Sequence, residues 1–108
     1  MFGMAGMYRM NDLLNLIARE SADGVRLEPG RPPVMELQGK QRVLDAELVT
    51  SDNVSELIRG IATEEQRREL DLCGDLHFIL VAENLARFSV RAALQGGKLS
   101  LQITNVGR

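Results

Sequence analysis

The stretch DLHFILVAENLARFSVRAALQGGKLSLQIT, Asp75 to Thr104, decides the fold. Leu76, Phe78 and Leu80 alternate with His77, Ile79 and Val81. Phe88, Val90 and Ala92 then alternate with Arg87, Ser89 and Arg91, and Leu99, Leu101 and Ile103 with Ser100, Gln102 and Thr104. A period of two sends successive side chains to opposite faces, so each run reads as a strand. Glu83-Asn84 and Gln95-Gly96-Gly97-Lys98 supply the turns between them. Three strands joined this way form an antiparallel meander with one apolar face. The first strand is apolar at both parities, which predicts burial on both sides.

Upstream of the meander the pattern is helical. Val54, Leu57, Ile58 and Ile61 recur at i, i+3, i+4 and i+7, with Thr50 or Ser51 as the cap. Thr63-Glu64-Glu65-Gln66 is a capping box that opens a second helix to about Leu72, closed by Cys73-Gly74. Further back, Leu13, Leu16 and Ile17 share one face of a first helix capped by Asn11 or Asp12. Asp23-Gly24 is expected to end that helix, with Gly24 in a left-handed turn. Val25 to Glu28 alternates as a short strand. Pro29-Gly30-Arg31-Pro32-Pro33 is a rigid turn, and Val34–Leu37 with Arg42–Leu44 forms a strand pair about Gln38-Gly39-Lys40-Gln41. The reading is α+β, an antiparallel sheet covered by two to three helices. Residues 11–108 form one domain, preceded by a flexible Met- and Gly-rich leader over 1–10, and Met10 is a second candidate start.

Bulk composition narrows the function. A length of 108 residues with 44% hydrophobic content is enough for one self-sufficient core. A net charge of −2 gives no general attraction to nucleic acid, and aromatics at 4% leave no base-stacking platform. The lone Cys73 forbids an internal disulfide, suits a reducing compartment, and reads as a small residue packed at a helix end. The leader lacks the apolar run of a membrane span or signal peptide, so no direct membrane insertion is expected. One histidine, His77, beside one cysteine cannot furnish a usual zinc set, and no metal or other cofactor is expected. A phosphate loop ending at Gly97-Lys98 would need glycine at 92 and Ser or Thr at 99, where Ala92 and Leu99 stand. At Gly39-Lys40 the same positions hold Val34 and Gln41. No enzyme activity is expected.

Several segments resemble, in order and spacing, the N-terminal domain of the type IV pilus and type II secretion ATPases. They are Asp23-Gly24-Val25-Arg26-Leu27, Gly30-Arg31-Pro32-Pro33, Gly39, Leu48-Val49-Thr50, Glu64-Glu65-Gln66, Asp75-Leu76-His77-Phe78 and Ala86-Arg87-Phe88-Ser89-Val90-Arg91. The resemblance covers nearly the whole chain and implies a PAS-like fold, without the ATPase core that follows in that family. It departs from the family at Gly24 (for Asp), Arg26 (for His), Glu36 (for Arg) and Ser89 (for Arg), while Arg87 occupies a matching basic position. It implies a cytoplasmic, non-catalytic interaction or regulatory domain in type IV pilus, twitching-motility or secretion machinery. The partner would be a pilus or secretion ATPase, its regulator, or a second copy of the chain in a homo-oligomer. The alternatives are a PAS-like small-ligand sensor and a fragment of a larger ATPase with no separate function. Arg87 and Arg91 share a strand face, and Arg31 lies in the proline turn. These three are the candidate partner-binding residues, as a docking face for an acidic protein.

Overall fold

The structure is a computed structural model describing residues 9–44, 47–82 and 86–107. Three helices, α1 (Met10–Glu20), α2 (Ser51–Arg59) and α3 (Glu64–Cys73), accompany six strands. The strands are β1 (Gly24–Leu27), β2 (Val34–Leu37), β3 (Lys40–Val43), β4 (Asp75–Val81), β5 (Arg87–Gln95) and β6 (Lys98–Gly107). They form one antiparallel sheet in the order β3-β2-β1-β6-β5-β4. The α+β class and the helix-covered antiparallel sheet are therefore as expected. The expected strand pair and the expected meander turn out to be one sheet, because β1 lies against β6 with Val25 opposite Ile103 and Leu27 opposite Leu101.

Local chemistry explains most element ends. Thr50 Oγ1 accepts from the Asn53 amide at 3.0 Å and Asn53 Oδ1 from the Thr50 amide at 3.1 Å, satisfying two donors at the start of α2. Thr63 and Gln66 repeat the arrangement at α3, at 3.1 and 2.9 Å. Gly74 closes α3 with φ 75°. Gln38 and Gly39, at φ 49° and 83°, form the whole β2–β3 turn. The turn is two residues shorter than expected, because Lys40 and Gln41 already pair with Leu37 and Glu36.

Other features differ from the sequence reading. Helix α1 starts earlier: Asp12 sits in its first turn and accepts from the Arg9 amide at 3.1 Å, so Arg9 holds the cap position. The left-handed residue after α1 is Ser21, φ 55°, while Gly24 is the first residue of β1. Residues 1–8 of the expected leader and the Glu83-Asn84 turn lie outside the described residues. Cys73 is exposed rather than packed.

All the buried apolar side chains gather under one face of the sheet. Leu13, Leu14 and Ile17 of α1, Val54 and Ile58 of α2 and Leu70 of α3 meet Val25, Leu27, Met35, Leu76, Phe88, Val90, Ala92, Leu101 and Ile103. The Ser51 hydroxyl accepts from the Leu99 amide at 3.1 Å and pins the start of α2 to β6. The proline turn is tied in as well: Gly30 donates to the Val49 carbonyl and Val49 to the Arg31 carbonyl, both at 2.8 Å.

Helix α2 turns its stripe so that Val54 and Ile58 are buried and Leu57 only half-buried. Ile58→Ala is accordingly expected to cost about 2–4 kcal/mol, and Leu57→Ala roughly half as much, because only a fully enclosed side chain leaves a full cavity. Denaturant unfolding of the two variants checks the order. Equal losses would mean that Leu57 is as deeply packed as Ile58.

Candidate functional site

The three helices cover one face of the sheet, and none of the described residues covers the other. Register fixes what this face carries. His77 lies opposite Arg91, Arg91 opposite Gln102, Gln102 opposite Arg26 and Arg26 opposite Val34. The neighbouring row runs Ile79, Ser89, Thr104, Gly24 and Glu36. Val81 lies opposite Arg87 at the end of the ladder.

Arg87 and Arg91 are thus brought to one face, as expected, with Ser89 between them. Both are exposed, and neither has an ion-pair partner among the described residues. Ser89 Oγ lies 2.7 Å from His77 Nε2, so the hydroxyl and the ring are held together beside Arg91. Arg31 is not part of this group. It is exposed in the β1–β2 turn, beyond the paired residues of β1, with a loose 3.9 Å contact to Glu28.

Sequence reasoning missed two components. The first is the pair Arg26–Glu36, whose guanidinium donates to the carboxylate at 3.1 Å in a partly buried contact between β1 and β2. These positions are two of the departures noted in the sequence. They carry opposite charges on adjacent strands and neutralise each other, so Arg26 adds little free charge to the face. Such half-exposed pairs contribute about 0.2–1 kcal/mol. The second is an apolar border. Ile79 and Val81 are about half exposed, at 51% and 55%. The expected two-sided burial of β4 is therefore incorrect for these two residues, because no helix covers their side and β4 is the outermost strand. Their apolarity is visible in the sequence, but only the register of β4 on β5 places them beside Ser89 and Arg87 on the uncovered face.

The resulting patch combines two guanidinium groups without an ion pair among the described residues, an imidazole–hydroxyl pair and two aliphatic side chains on an adjacent strand pair. It offers bidentate donors to carboxylates and apolar area to a neighbouring surface. Among the described residues no three His, Cys, Asp or Glu side chains are grouped as a metal site would need, and no helix is long and apolar enough to cross a membrane.

Known proteins match the chain by shape and not by sequence. No family profile matches it, and neither does any curated protein sequence. Among solved structures, that of the pilus retraction motor PilT with bound ADP superposes with a TM-score of 0.81 over 91% of this chain, at 19% identity. The Legionella pneumophila ATPase DotB superposes with a TM-score of 0.74 over 93% of the chain, at 17% identity. The match spans only 29% of the first and 30% of the second. At such identities the likeness establishes fold, and it is the fold that the sequence resemblance implied. The chain is built like one part, under a third, of these two ATPases.

Proposed function

We propose that the chain is a protein-interaction domain of pilus or secretion machinery, acting on the cytoplasmic side through the open face of its sheet. The observation that carries this reading is the juxtaposition of unpaired Arg87 and Arg91 with exposed Ile79 and Val81 on adjacent strands. A partner presenting carboxylates beside an apolar patch would complement it. Long-range attraction would speed encounter, and aliphatic burial would slow release. Related motors of the pilus and secretion family, or a regulator of one, are the partners that the shared fold favours. A non-catalytic role agrees with the missing phosphate loop, since neither Gly97-Lys98 nor Gly39-Lys40 is preceded by the required glycine.

Reversing both charges in the double variant Arg87→Glu, Arg91→Glu tests the proposal. Stability should stay within about 1 kcal/mol, as for exposed positions generally. Capture of acidic partners should fall, and added salt should mimic that loss in the wild type, because exposed charges are screened over about 10 Å at 0.1 M salt. Pull-downs at low and high salt, with a thermal melt alongside, give the answer. A folded double variant that captures the same partners equally well would remove the docking role.

A further inference from the structure

The two edges of the sheet are built differently. Strand β3 is four residues long, Lys40-Gln41-Arg42-Val43, and exposed throughout. Cations on a short strand guard an edge, because a pairing chain would have to cover them. Strand β4 is seven residues long, Asp75 to Val81, and contains no lysine, arginine, proline or glycine. Phe78-Ile79-Leu80-Val81 is an unbroken apolar run. Ile79 and Val81 are exposed on the uncovered face, and Phe78 and Leu80 are half-buried on the helical side. No described segment pairs with the outer edge of β4. A long apolar edge of this kind is a template for another strand.

The β4–β5 ladder fixes which main-chain groups that edge presents. At its two ends the Ala82 amide donates to the Ala86 carbonyl and the Leu94 amide to the Gly74 carbonyl, each at 2.9 Å. Antiparallel ladders alternate bonded and non-bonded pairs, so the even-numbered residues of β4 exchange bonds with β5. The amides and carbonyls of Asp75, His77, Ile79 and Val81 therefore point outward. A second copy of β4 fits them over the full strand when the two run antiparallel about an axis through Phe78. Asp75 of each copy then lies opposite Val81 of the other, and His77 opposite Ile79. Every such pair joins residues whose main-chain groups are free, and their side chains all stand on the same face. A slip of one residue would set free groups against groups that β5 already holds.

The same register brings opposite charges together. Asp75 of the second copy lies beside Val81, whose other neighbour is Arg87. Aspartate and arginine thus flank Val81 on one face, with Cα atoms about 10 Å apart, a distance that the long arginine side chain spans. Neither Asp75 nor Arg87 forms an ion pair with another described residue. We propose that the chain forms a symmetric dimer by joining β4 strands edge to edge, with Asp75 of each copy set against Arg87 of the other. The dimer does not rest on the docking role proposed above, and it leaves Arg91 on the uncovered face.

Analytical ultracentrifugation of the purified chain over a range of concentrations tests this. It should show a reversible monomer–dimer equilibrium and no larger species, because each dimer consumes both β4 edges and β3 resists pairing. The amides of His77, Ile79 and Val81 should gain protection from hydrogen exchange as the dimer fills. Ile79→Lys puts like charges diagonally across the axis and should raise the dimer dissociation constant by about tenfold or more. Ile79→Pro removes an outward amide but no bond of the β4–β5 ladder, and should have a similar effect. Where the proline variant does not fold, the lysine variant decides. Asp75→Arg should weaken the dimer by about fivefold, since its contact occurs on both sides of the axis, and adding Arg87→Asp should restore it. A monomer at every concentration, open polymers in place of a dimer, a folded Ile79→Lys variant that dimerises as tightly as the wild type, or a charge swap that restores nothing would each overturn the assignment. No other protein is present in these measurements, so their outcome is separate from that of the pull-downs.

Discussion

Gly24→Ala is expected to destabilise the protein by about 2 kcal/mol or more, although the change adds a single methyl group to a strand. Gly24 is paired on both sides, with Glu36 of β2 and Thr104 of β6. A Cβ at this position would run into the carbonyl oxygen of Ile103, with Thr104 Cα close behind at 3.1 Å. Both obstacles are main chain and cannot swing aside as a flexible side chain would. Relief requires β1 and β6 to separate beside Asp23, whose carbonyl accepts from the Asn105 amide at 2.7 Å. Gly24→Val should be worse still, since its two methyl groups meet the same main chain. Urea unfolding of the purified variants measures the effect. An alanine variant with the wild-type midpoint would show that the strands are spaced more loosely than described.

Phe88→Ala should give a comparable or larger loss, about 3–5 kcal/mol. Phe88 is the largest fully buried side chain, 1% exposed, in a core that is otherwise aliphatic. It lies opposite Leu80 on β4, and among the described residues no other aromatic ring is fully buried. In a domain of about this size each kcal/mol lowers the melting temperature by roughly 4–8 °C, so the melt should fall by about 15 °C or more. Phe78→Ala serves as the control. Phe78 is only half-buried on the outermost strand and should cost clearly less. Equal losses at the two positions would contradict the placement of the core.

The elements whose cause is local were legible in the sequence. The Thr63–Gln66 box, the Gly96-Gly97 turn and the alternation of Phe88, Val90 and Ala92 each state their structure within a few residues, because capping and pleating act at that range. Gly24 was misread for the opposite reason. Glycine after a helix suggests a left-handed cap, but Ser21 takes that conformation, and the glycine answers to a carbonyl that belongs to Ile103. The pairing of β1 with β6 carries no local signature either, which left the strand pair and the meander apparently separate. The same limit applies to the open face. Arg87 and Arg91 could be placed together by parity alone. Their neighbours Ile79 and Val81, and the mutual neutralisation of Arg26 and Glu36, depend on which strands adjoin.

The junction of β1 with β6 also sets an order of events. The β2–β3, β4–β5 and β5–β6 ladders join strands that are consecutive in sequence, whereas β1 meets β6 only when residues 24–27 find residues 101–104. Closing so long a segment carries an entropic penalty that rises with the logarithm of its length, and nothing repays it until the central ladder forms. During synthesis, the hairpin of β2 and β3 therefore waits with one flank of β1 unpaired until β6 has left the ribosome. In that interval β1 is a bare edge, and the apolar residues Val25 and Leu27 that will become its core side have no sheet to join. The seam that completes the sheet is thus expected to close last and to set how long each new chain is exposed to mispairing.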